Sequence, residues 1–198
     1  DHEECTMKTR FGAGLLAVLL LLASAGCSSS HPPPADFTKA PERYKLTLEL
    51  NAPPGAVWDY VKDHQNTVAL SGGMVHTVRL DNTKAEIDGQ KGCLRTCELT
   101  MPGPDGRLME TAVVEEVVFF SDERMTYYYA LQDTNFMGLK NHLGIFRVST
   151  HEGGMRSRLE WLAHFDHPQA EQMAGQFAGF AEPMTAALLK QFGGKRLN

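Results

Sequence analysis

The stretch from residue 168 to residue 192 restricts the fold more than any other. Met173, Phe177, Phe180, Met184, Leu188 and Phe192 recur there at steps of three and four, the spacing that gathers side chains on one face of an α-helix. So apolar a stripe is not stable in water along its whole length, and the chain before it must supply a surface to receive it. Pro168 suits a helix start. Pro183, inside the run, removes a backbone donor and crowds the carbonyl of Gly179, which predicts a bend at that point.

What precedes the helix is a series of short segments with the two-residue period of strands. Over 43–50 the apolar residues Tyr44, Leu46, Leu48 and Leu50 alternate with Lys45, Thr47 and Glu49, the pattern of a half-buried strand. Residues 51–55 break it with two prolines and a glycine, and Val57, Trp58 and Val61 then predict a short helix over 56–64. Further strands are predicted over 74–81, 92–101, 107–120, 125–132, 142–150 and 155–166. Gly-, Pro- and Asp-rich turns at 102–106, 121–124 and 152–154 separate the later ones. Segments this close in sequence pair as antiparallel hairpins or a meander. The predicted fold class is α+β, a curved antiparallel sheet wrapped around a long C-terminal helix, with a short helical region after the first strand.

The N-terminal part has a different composition. Asp1 to Thr6 precede the first methionine, Met7, and read as upstream or non-native residues. Lys8 and Arg10 then introduce an apolar run, 11–23, of signal-peptide length and too short for a membrane span. Leu22-Ala-Ser-Ala-Gly-Cys27 resembles a bacterial lipobox, which implies a lipoprotein signal peptide over 7–26 and lipidation of Cys27. Ser28 at the next position resembles the Gram-negative sorting signal for the outer membrane, so the expected location is the cell envelope, lipid-anchored and facing the periplasm. Residues 27–42, with three serines and a Pro-Pro-Pro run, are expected to form a flexible tether, and 43–198 a single domain.

The formal net charge of −5, with no cluster of Lys and Arg, argues against nucleic acid as a partner, because neutralising phosphates requires a basic surface. Two cysteines fall within the domain, Cys93 and Cys97. On one strand, four residues at ~3.3 Å each place their Cα atoms ~13 Å apart, beyond disulfide reach, so two buried thiols are expected in spite of the oxidising compartment.

The order of elements, with Leu48-Glu-Leu-Asn-Ala-Pro-Pro-Gly-Ala-Val-Trp58 opening the domain, resembles the START-like (SRPBCC) helix-grip superfamily. That superfamily includes polyketide cyclases and dehydrases, lipid-transfer domains and birch-pollen-type allergens. Gly92 with Arg95-Thr96, Glu116 with Asp122, Tyr127-Tyr128-Tyr129, and Glu160-Trp161 with Phe165-Asp166 resemble a small subgroup found with bacterial methanol-oxidation genes. The resemblance covers nearly the whole domain. It implies the fold, and a cavity between sheet and helix that holds an apolar or amphipathic small molecule.

The residues suit that implication. Tyr127 and Tyr129 share one strand face and Trp161 lies on the matching face of another, while the helix offers Phe177, Phe180 and Met184; each is equally good core material. Arg95 stands among Cys93, Cys97, Leu99 and Met101, and a guanidinium on such a face needs a partner. Glu116 or Glu110, one strand away, is the expected one, with a ligand oxygen as the alternative. The expected binding set is therefore Arg95, Glu116, Tyr127, Tyr129, Trp161, Phe177, Phe180 and Met184.

No nucleophile elbow, phosphate-binding glycine loop or dinucleotide fingerprint is present. His164, Asp166 and His167 have metal-capable types but the wrong strand geometry, and no cofactor or metal is expected. Three function classes follow. The first is a membrane-tethered binding protein for a hydrophobic or amphipathic small molecule. The second is a cyclase or dehydrase using Tyr129, His142 or His164 as acid and base. The third is an accessory protein docking on a periplasmic dehydrogenase. A sizeable cavity separates the first two from the third.

Overall fold

The computed structural model describes residues 31–102, 107–132 and 136–198. The expected signal peptide, Cys27 and the first residues of the tether lie outside the described residues, as does most of the turn at 102–106.

Strand β1, Glu42–Leu50, is followed by helix α1, Pro54–Lys62, and by a one-turn helix α2, Thr67–Leu70. Six strands come next: β2 Val75–Asp81, β3 Leu94–Pro102, β4 Leu108–Ser121, β5 Thr126–Leu131, β6 Lys140–His151 and β7 Arg156–Asp166. Helix α3, Ala170–Phe192, and the short strand β8, Gly194–Arg196, close the chain. The strands form one sheet in the order β2-β3-β4-β5-β6-β7-β1-β8, antiparallel at every pairing. The meander β2 to β7 is thus closed on its far side by β1. The expected α+β helix-grip architecture is the one observed; α2 and β8, of four and three residues, are too short for a periodicity to register in the sequence.

The inner face carries the main core. Leu46, Leu48 and Leu50 of β1 are fully buried, and Leu159, Ala163 and Phe165 of β7 meet Met173, Phe177, Ala181, Met184 and Leu188 of α3. Helix α1 packs on the same cluster through Val57, Trp58 and Val61, and the Trp58 indole N–H donates to Asp122 Oδ1 at 2.7 Å, tying α1 to the β4–β5 turn. The helical backbone of α3 continues through Pro183. The proline ring is received by Gly72, where a Cβ would lie 2.5 Å from that of Pro183; Gly72 also holds φ +64°, so a side chain is excluded twice over.

A bulge in β4 redistributes its side chains. The pairing of β4 with β5 shifts register between Val117 and Phe119, so that Val117 and Phe120 both serve the inner cluster while Val118 and Phe119 turn outward. There they join Tyr128, Leu143, Ile145 and Leu162 in an apolar patch on the outer face. The residues expected to belong to a free tether cover part of it. The Phe37 ring lies 5.2 Å from that of Tyr128 and 6.1 Å from that of Phe119, and Tyr128 Oη donates to the Pro32 carbonyl at 2.7 Å. From His31 onward the chain is seated on the sheet, because Phe37 finds apolar surface, and the Ala40 carbonyl a donor in His164, that composition alone does not reveal.

Candidate functional site

Between the inner face of the sheet and α3 lies a cavity of about 180 Å³. Its walls are overwhelmingly apolar, from β3 (Cys97, Leu99), β5 (Tyr127, Tyr129, Leu131), β6 (Phe146), β7 (Trp161) and α3 (Phe177, Phe180, Met184). The volume exceeds that of an engineered apolar cavity known to take benzene, about 150 Å³, and is below the ~300–1,000 Å³ of drug-sized pockets.

Large rings set the cavity's shape. Gly144 stands opposite Tyr129 in the β5–β6 ladder, and a Cβ there would fall 2.1 Å from the Tyr129 ring. The missing side chain is what lets the phenol lie across β6. The Tyr129 hydroxyl accepts a hydrogen bond from the Trp161 indole at 3.0 Å. Phe146 stacks against Tyr127 at 5.2 Å and against Trp161 at 6.0 Å, while Phe177 stacks on Phe165 at 5.1 Å. Flat surfaces that cannot interlock leave the void, and methionines at its rim add adjustable walls.

The polar groups at one end form a closed chain. Arg95, only 5% exposed, lies directly across the β3–β4 ladder from Glu115. Its Nε and Nη2 donate to Glu115 Oε2 at 2.8 and 2.5 Å, and Nη1 reaches His64 Nδ1 at 3.3 Å and Thr67 Oγ1 at 3.4 Å. His64 is therefore the Nε2–H tautomer, because Arg95 can only donate to Nδ1 and the Gly89 carbonyl, 2.8 Å from Nε2, can only accept. Burial and the Arg95 charge lower the His64 pKa to about 4, so the imidazole is neutral. Burial by itself would lower the Arg95 pKa as well, but the Glu115 carboxylate outweighs it and keeps the guanidinium charged. The guanidinium carbon also sits 5.1 Å from the centroid of the Tyr129 ring, a cation–π contact. Four hydrogen bonds thus hold Arg95 to the protein itself.

Of the expected binding residues, Arg95, Tyr127, Tyr129, Trp161, Phe177, Phe180 and Met184 line the cavity together. Glu116 does not. Its carboxylate accepts from Gln132 Nε2 at 3.0 Å on the opposite face of β4, so the Arg95 partner is Glu115 and neither Glu116 nor Glu110. The cause is strand parity: Val113, Glu115 and Val117 point inward, and Glu116 points outward with Val118.

Two of the three acid–base candidates are in the cavity. His142 lines it, its ring 5.7 Å from that of Tyr129 and stacked on Phe177 at 5.9 Å and 15°. Burial, with a smaller push from His164, lowers the His142 pKa to about 4. Its Nδ1 is buried and has no hydrogen-bond partner among the described residues. Burial pushes the Tyr127 hydroxyl up to about 12 and that of Tyr129 further still. His164 is not part of the lining; its Nδ1–H donates to the Ala40 carbonyl at 3.1 Å.

Cys93 and Cys97 are free, buried thiols, and burial with the Glu115 charge pushes Cys97 up to about 11. Among the described residues one group of potential metal ligands occurs, Glu49, His151 and Glu152. Arg156 already bridges the two carboxylates at 3.2 and 3.1 Å and Lys195 reaches Glu49 at 3.6 Å, so this is an ion-pair network near the sheet edge. No helix among the described residues is long and apolar enough to cross a membrane.

Comparison with known proteins bears on the whole domain. The profile of the family described as polyketide cyclase / dehydrase and lipid transport matches residues 42–197. Among solved structures, the chain is similar to the protein XoxI from Bacillus cereus, with 19% identity and a TM-score of 0.57 over 75% of this chain and 93% of that one. A Thermobifida fusca protein has 19% identity and a TM-score of 0.59, covering 76% of this chain and 92% of its own. Ginseng major latex-like protein 151 from Panax ginseng has 12% identity and a TM-score of 0.53, covering 75% and 96%. At these identities the likeness is one of fold. A search of curated protein sequences gives no match.

Proposed function

We propose, from the premise that this chain belongs to the polyketide cyclase / dehydrase and lipid transport family, that it is a binding protein for a hydrophobic small molecule held between sheet and α3. The cavity carries the reading: an apolar void lined from six strands and the closing helix, in a position where a well-packed core would have none. The lipobox-like segment ending at Cys27 supports a further part of the proposal, that lipid on this residue tethers the domain to a bacterial membrane facing the periplasm. No chemistry is required of the site.

The test is direct. The purified chain is extracted with organic solvent for co-purifying small molecules by mass spectrometry, then titrated with the neutral two-ring fluorescent probe 1-naphthylamine. Saturable binding is expected, with affinity at least tenfold weaker in Met184→Trp, whose indole occupies the void. If nothing co-purifies and the probe gives no saturable signal, the interior is solid. An accessory role in docking on a periplasmic protein then becomes the better account.

A further inference from the structure

The cavity is electrically balanced, and among the described residues one of its lining side chains, His142, has a buried polar atom without a hydrogen-bond partner. Arg95 and Glu115 neutralise each other at 2.5 Å, and His64 is neutral and committed to the Gly89 carbonyl. An anionic ligand would find the guanidinium already taken by four protein bonds and the Glu115 carboxylate waiting to repel it. A cationic ligand would meet Arg95. Spare hydrogen-bonding capacity on the lining lies at the Tyr129 hydroxyl, which accepts from Trp161, and above all at His142, which is 8% exposed, lines the void, and has its Nδ1 buried without a partner among the described residues. Leaving such an atom unmet is unfavourable unless something else satisfies it.

The shape of the site adds a second restriction. His142 lies parallel to Phe177 at 15°, and Phe146 parallel to Trp161 at 14°, so the lining presents flat ring surfaces to a space of about 180 Å³. That is room for one or two rings and too little for an extended acyl chain.

Resting on the binding reading above, we propose that the ligand is a neutral, flat molecule of one or two rings bearing a hydroxyl or carbonyl, and that the His142 imidazole is the group that recognises it. A hydroxyl can answer either tautomer of a neutral imidazole, as donor or as acceptor. The recognition is therefore built for an uncharged phenol-like compound over a fatty acid of equal apolar area.

Three probes of one shape test it: 2-naphthol, naphthalene and 2-naphthoate, with palmitate as the acyl-chain comparison, each titrated into the full chain at neutral pH. The expected order has 2-naphthol about tenfold tighter than naphthalene, the advantage of one buried hydrogen bond to the imidazole. 2-Naphthoate and palmitate should be weaker than naphthalene. In His142→Phe the naphthol advantage over naphthalene should vanish, whereas Glu116→Gln, on the outer face, should retain it. Equal binding of naphthol and naphthalene by wild type overturns the role of His142, and tight binding of naphthoate or palmitate overturns the neutral-ring assignment; neither touches the broader reading. Only the failure of all four to bind overturns both. The wild-type comparison decides the matter even if His142→Phe does not fold.

Discussion

Arg95 and Glu115 face each other across adjacent strands inside an apolar cavity and are joined by two hydrogen bonds to a single carboxylate oxygen, at 2.8 and 2.5 Å. Their side chains keep only 7% and 12% of their surface exposed, so water does little for either charge. Removing one partner strands the other, which typically costs about 3–5 kcal/mol, whereas replacing both with apolar residues of similar size is far milder. Arg95→Met and Glu115→Leu should each lower unfolding stability by that amount in denaturant titrations, and the double variant by much less than their sum. Glu116→Gln, on the outer face, should stay within about 0.5 kcal/mol. A loss at Glu116 as large as at Glu115 would contradict the pairing.

Stability should fall on the acid side of neutrality, and the buried histidines set the window. His64 and His142 are held at about 4 in the fold, against an ordinary value of 6.5. Above pH 6.5 both are neutral folded or unfolded, and they make no difference. As pH drops from 6.5 towards 4 the unfolded chain takes up protons that the fold refuses, so stability is lost through that interval and the loss levels off below it. Melting temperatures measured from pH 7.5 to 4 should decline across this window, with a shallower decline in His142→Phe. A profile flat down to pH 4.5 would show that the rings protonate freely in the fold.

Gly144 should not tolerate a methyl group. A Cβ at 2.1 Å from the Tyr129 ring must displace either the ring or the strand, and overpacking of this kind typically costs about 1–3 kcal/mol. Gly144→Ala is expected to lower the melting temperature and to weaken probe binding together, because the displaced phenol moves into the void. Gly153→Ala sits at φ +69° with open space around it, so it should lose stability through backbone strain alone and leave binding unchanged. Unaltered binding in Gly144→Ala would mean that Tyr129 does not shape the cavity.

Cys27 is the proposed lipid attachment point. Wild type expressed in a Gram-negative host should fractionate with membranes and Cys27→Ser should be released with the soluble periplasmic contents. Equal membrane recovery of both would end the anchor proposal.

The parts of this protein that can be read along the chain are those governed by local geometry. The i, i+3, i+4 stripe of α3 and the alternation of β1 arise from how side chains leave a helix or a strand, and they lead to the observed α+β order with most boundaries within a residue or two. The aromatic lining was visible for the same reason, since Tyr127, Tyr129 and Trp161 could be assigned to faces by counting in twos.

What required the folded chain was the matching of one face to another. In β4 the doublets Val113-Val114, Glu115-Glu116, Val117-Val118 and Phe119-Phe120 read identically in either phase, so alternation cannot say which glutamate points inward. The hairpin register, pairing Pro102 with Leu108 and hence Arg95 with Glu115, decides it, and the bulge after Val117 then reverses the two phenylalanines. The seating of Phe37 on Tyr128 and the solitary Nδ1 of His142 belong to the same class, being contacts between residues about ninety positions apart or a partner that none of the described residues supplies. Periodicity is a property of neighbours in sequence, whereas burial, pairing and the absence of a partner are properties of neighbours in space.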